Sequence, residues 1–164
     1  MLVEGCRYNR WANLHLLDVC ARLPDEHLQL TTVGVYGTIA DTLLHLIGAE
    51  RMYLWRLGGQ KGRVTRRHKF PGVAALRRQA ALSGDQLITV AKRIDGEATV
   101  VSKWPEGAFT IGKGIILLQA LHHGNDHRTH ICTILGANGI EYGDMDVWSY
   151  GAATGSLVPI RAKA

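Results

Sequence analysis

Three cysteines, four prolines and two phenylalanines are few for 164 residues. An odd cysteine count is a poor disulfide framework. Cys6 and Cys20 fall in one helical block, where fourteen residues of rise separate them by ~21 Å, and no bridge closes over that distance. The cysteines therefore read as small apolar core residues rather than reactive thiols. No apolar run approaches the ~20 residues of a membrane span. Met1-Leu2-Val3-Glu4-Gly5-Cys6-Arg7 lacks the basic stretch and apolar run of a secretory leader, so a cytoplasmic protein is expected. Acidic residues are also in the minority, 14 against 19 basic. Much of that excess sits in Lys61-Gly62-Arg63-Val64-Thr65-Arg66-Arg67-His68-Lys69, between Gly58-Gly59 and Pro71-Gly72. No aromatic interleaves it for stacking on bases. It reads as a solvated connection, and nucleic-acid binding is not favoured.

What is present is a chain apolar enough to fold, 46% hydrophobic and 20% charged, and long enough for one core without staples. Glycine and proline cut it into blocks. The first runs from about Glu4 to Leu23, with Tyr8, Trp11, Ala12, Leu14, Val19 and Leu23 at helical spacing. It stops at Pro24-Asp25-Glu26, which opens a turn or a short helical segment. The second runs from about Thr38, a natural N-cap with Asp41 three residues on, to Leu57 before the glycine pair. The third runs from about Val73 to Ile94 and is interrupted in its middle by Ser83-Gly84. The fourth runs from about Gly114 to Ala137. Between the last two, Ala98-Thr99-Val100-Val101 and Phe109-Thr110-Ile111 flank Pro105-Glu106-Gly107, as extended segments around a turn do. Four amphipathic helices with a short extended insert between helices 3 and 4 predict an all-α four-helix bundle over residues 1–152. Residues 153–164 read as a loosely ordered tail, preceded by one short helical turn around Val147, Trp148 and Tyr150. The insert and the basic segment allow longer connections than a strict up-down-up-down bundle needs.

Histidine is abundant, with eight in the chain, and four of them fall in Leu121-His122-His123-Gly124-Asn125-Asp126-His127-Arg128-Thr129-His130. At 100° per residue His123, His127 and His130 share ~60° of arc at the rim of the apolar stripe. The i,i+4 pair His123/His127 can chelate one ion from one face. Such a pair also occurs as plain surface polarity, and two ligands do not make a site. A third must come from another helix. The best candidate is His45, within Leu43-Leu44-His45-Leu46-Ile47, where facing helices of a bundle meet. Its neighbours predict that it is the more buried of the three. Asp41, one turn before His45, and Asp126, directly before His127, stand where a carboxylate orients an imidazole from behind. Each also fits a solvated helix carboxylate.

Three stretches carry a resemblance: Tyr8-Asn9-Arg10-Trp11-Ala12-Asn13; Thr38-Ile39-Ala40-Asp41-Thr42-Leu43-Leu44-His45-Leu46 with Ala49-Glu50 and Trp55; and His123 with His127-Arg128 and Leu135. In this order, and over residues 6–140, the chain resembles the DinB family of metal-binding four-helix bundles, related to bacterial thiol-dependent transferases. The resemblance implies His45, His123 and His127 as metal ligands with one coordination position open. It implies nickel or zinc as the metal and a homodimer as the assembly. Its functional expectation is a metal-dependent transferase that directs a low-molecular-weight thiol at small electrophiles. The other expectation it supports is a non-catalytic, stress-related metal-binding protein. Where the family often has Gly-Gln after its His-Arg, this chain has Thr129-His130. His130 is thus an alternative ligand, a hydrogen-bond partner of a ligand, or a surface substitution. No catalytic base is singled out.

Overall fold

The computed structural model describes residues 2–58 and 69–160. Four long helices dominate it: α1 (Leu2–Cys20), α2 (Ile39–Arg56), α3 (Val73–Arg93) and α4 (Lys113–Ala137). Their ends have local causes. The Thr38 hydroxyl accepts from the Asp41 amide at 3.1 Å and donates to the Asp41 carboxylate at 2.8 Å, closing the first turn of α2. Gly58 ends α2 in the left-handed conformation, φ +76°, which a Cβ would disfavour. A 3-10 turn, Asp25–Gln29, follows the Pro24 stop.

The extended insert expected between helices 3 and 4 forms as a paired hairpin, so the fold is mostly helical with a small sheet rather than purely all-α. Between α3 and α4 lies an antiparallel pair, β1 (Thr99–Trp104) and β2 (Gly107–Gly112), in register Val100↔Ile111 and Ser102↔Phe109. The β-branched run favours extension, and Val100 and Ile111 pack one face of the hairpin onto the bundle. A fifth helix, α5 (Val147–Ala153), also forms. Tyr150 is buried and donates to the Glu4 carboxylate at 2.6 Å, which docks α5 on α1. Trp148 remains 73% exposed. Most of the basic stretch, residues 61–68, and the chain end, residues 161–164, lie outside the described residues.

Two apolar clusters fill the bundle. One is built from Leu16, Leu17, Ile39, Leu43, Leu46, Ile47, Leu76, Ile131 and Ile134; the other from Cys6, Leu54, Leu87, Ile116 and Leu117. The order in which each helix visits them gives its direction. Helices α1 and α4 run from the second cluster to the first, whereas α2 and α3 run the opposite way. The topology is therefore up-down-down-up. Antiparallel neighbours α1/α3 and α2/α4 alternate with parallel neighbours α2/α3 and α1/α4.

A polar layer separates the two clusters. Glu50 Oε2 accepts from Asn9 Nδ2 at 2.8 Å and Asn13 Nδ2 at 3.1 Å, and the Ser83 hydroxyl donates to Oε1. Arg128 Nη1 donates to both asparagine carbonyls at 2.7 Å. All five residues are at least nine-tenths buried. Two amides thus stand between one acid and one base and hydrogen-bond to both. Burial pushes the Glu50 carboxyl above its ordinary range, against the pull of the four partners. The layer also explains Ser83-Gly84. Helix α3 runs unbroken through it, because Ser83 faces Glu50 and Gly84 admits the Arg10 stem from α1. Gly124 of α4 lies against Asn9 in the same way.

Candidate metal centre

The antiparallel contact of α2 and α4 brings His45 to His123 and His127. One ring nitrogen from each lies within 4.8 Å of the others, the only such ligand cluster among the described residues. His45 Nε2 and His123 Nε2 are 3.0 Å apart. Ring centroids are separated by 4.9 Å (His45–His123), 4.6 Å (His45–His127) and 4.3 Å (His123–His127). Nitrogens around a tetrahedral ion at ~2.1 Å would sit ~3.4 Å apart. The His45–His123 pair lies a little inside that value, and all three nitrogens lie within 4.8 Å of one another.

The electrostatics favour ligands. Burial, reinforced by His127 and His45, pushes His123 down to about 4. Burial, reinforced by His45 and His130, brings His127 to about 4 as well. At neutral pH both are uncharged and offer lone pairs, as a metal requires. Unprotonated, each ring keeps a lone pair that a cation can take up. The site thus fits a divalent transition metal bound through imidazole.

The expected order of burial is reversed. His127 is 7% exposed, whereas His45 is only half-buried. The apolar neighbours of His45 point into the core on either side of it and leave its own position at the rim. The rings of Tyr36, His45, His123 and His130 stand around His127. Asp41 is engaged by Thr38 at the helix start. The Asp126 carboxylate lies 3.8 Å from His122, both exposed, and its charge partly offsets the lowering at His123 and His127. His130 Nδ1 lies 3.3 Å from His127 Nδ1, so it meets the edge of His127 that carries Nδ1. The cysteines stand apart: burial pushes Cys6 and Cys132 up to about 11 and Cys20 to about 12, which suits inert core thiols.

Sequence reasoning missed two features. Tyr36 stacks on His45 at 4.2 Å between centroids and places its hydroxyl 3.0 Å from Nδ1. No periodicity marks a loop aromatic as a neighbour of a helix nine residues on. The polar layer was also missed as a unit. Its signal was present in Asn9 and Asn13, four apart and in step with the buried Cys6, Leu16 and Leu17.

The crystal structure of a DinB-like protein from Bacillus cereus ATCC 10987 superposes with a TM-score of 0.68 at 16% identity, over 87% of this chain and 94% of that one. That likeness concerns the fold. No similar protein is found among curated ones. The DinB family model matches residues 1–158. The chain belongs to the DinB family.

Proposed function

We propose that the chain binds one divalent transition metal, zinc or nickel, through His45, His123 and His127, and uses it to transfer a thiol to a small electrophile. The observation that carries the metal reading is the convergence of three ring nitrogens, from two helices, within 4.8 Å. Three protein ligands suit a catalytic ion better than a closed structural one, which takes four. A divalent ion supplies Lewis acidity, favouring the thiolate form of a thiol at neutral pH. The protein's own part is to hold three imidazoles on a pair of packed helices and to keep one side of the cluster open, at half-buried His45 and His123. The thiol partner and a homodimeric assembly rest on the family resemblance.

Elemental analysis of untagged protein tests the metal. Up to one ion per chain is expected after incubation with zinc or nickel, and protein that stays metal-free refutes the reading. Consumption of a low-molecular-weight thiol by the loaded protein in the presence of a small electrophile tests the transfer.

A further inference from the structure

A neutral imidazole carries one N–H and one lone pair, and the partner of one nitrogen decides which nitrogen keeps the proton. A histidine that ligates through Nε2 must carry its proton on Nδ1. At His45 the nitrogen facing His123 is Nε2, at 3.0 Å, and the nitrogen facing away meets the Tyr36 hydroxyl, also at 3.0 Å. A phenol oxygen accepts as readily as it donates. We propose that Tyr36 is the positioning residue for His45: its Oη accepts from Nδ1–H and so directs the Nε2 lone pair into the cluster. This inference rests on the metal site proposed above.

The surrounding structure supports a fixed Tyr36. The segment between Leu30 and Ile39 is closed at its base by the Ile39 amide donating to the Leu30 carbonyl at 3.1 Å. The Thr31 hydroxyl ties it again by donating to the Gly37 carbonyl at 3.1 Å. The Tyr36 ring then stacks on His45 with only 23° between planes, and meets His127 edge-on at 5.0 Å and 85°. One aromatic side chain thus touches a candidate ligand on α2 and another on α4. It is 46% exposed, so it forms part of the outer wall of the site. A side chain serving only as a wall would need the ring; the position of the hydroxyl on Nδ1 is the feature that a tautomer-setting role requires.

The test is Tyr36→Phe in the full chain, which keeps the ring and removes the hydroxyl. Ring nitrogen shifts of His45, read by long-range 1H–15N NMR on metal-free protein, are expected to show the Nδ1–H form in wild type. In Y36F they should move toward the Nε2–H form. Zinc titration by calorimetry should show affinity falling about tenfold in Y36F, the size of effect typical for the hydrogen-bond partner of a ligand. An Nε2–H form in wild type, or a tautomer unchanged in Y36F, overturns the proposal. Wild-type protein that binds no zinc would defeat the metal reading, whereas the tautomer measurement decides the role of Tyr36 without any metal.

Discussion

Helices α2 and α4 each carry residues of two polar clusters about two turns apart or less, and the two clusters are built on opposite plans. The Glu50 layer is closed. Its hydrogen bonds run among its own members, leaving Arg128 Nη2 as its one buried nitrogen without a partner, and it lies between two apolar clusters. The histidine cluster is open and crowded. Three ring nitrogens converge from two helices, with His45 and His123 only half-buried. A buried polar group that is fully satisfied fixes register and specifies one packing. A buried group whose lone pairs converge without enough protons is a place for a cation. The comparison separates a polar cluster that holds the fold from one that the fold holds ready.

Removing a member of each cluster is the sharpest way to break that distinction. His123→Ala should abolish tight metal binding, with affinity lower by orders of magnitude, because a chelate loses one of three ligands. Helix content by circular dichroism should be unchanged, since His123 is half-buried and alanine is the better helix former. His127→Ala should lose the metal equally but also cost some stability, as His127 is 7% exposed. If His130→Ala loses the metal while His123→Ala keeps it, the chelating pair is misassigned.

Glu50→Ala is expected to do the reverse. It strands two amide donors, a hydroxyl and a buried guanidinium, a loss of about 3–5 kcal/mol by the standard of broken buried ionic networks. Chemical denaturation reads that loss. The folded fraction should still bind metal. A Glu50→Ala protein of near wild-type stability would show that the layer is not structural.

Acid should weaken the metal-free protein through the histidines. His123 and His127 sit at about 4 in the fold, against an ordinary value near 6.5. The unfolded chain therefore takes up protons first, and their contribution to stability, complete above about pH 6.5, is lost as pH falls toward 4. Glu50, raised by burial, has the opposite sign: its contribution is complete below its unfolded pKa and shrinks as pH rises. The histidine effect should be smaller than that of Glu50→Ala, because His123 is partly screened by solvent. Melting of metal-free wild type and of a His123→Ala/His127→Ala double variant between pH 7 and pH 4 checks this. A decline of equal depth in both would place the acid sensitivity elsewhere.

The helices and the His123/His127 pair were legible in the chain because their causes are local. Thr38 caps α2 through a hydroxyl three residues from its target, Gly58 stops it through a left-handed φ, and His123 and His127 meet through the pitch of one helix. The resemblance supplied His45, which spacing alone left as one candidate. Tertiary structure decided the rest. The up-down-down-up order follows from which ends of the helices share an apolar cluster, a sum over many weak contacts that no window of sequence contains. The hold of Tyr36 on His45 joins a loop to a helix face, and the inversion that buries His127 more than His45 depends on what stands beyond each helix rather than on its sequence neighbours. Ser83-Gly84 illustrates the difference. Read locally it is a weak point in a helix; in the fold one residue completes the shell of Glu50 and the other makes room for Arg10. Propensity acts along the chain, whereas satisfaction of buried polar groups is settled across it.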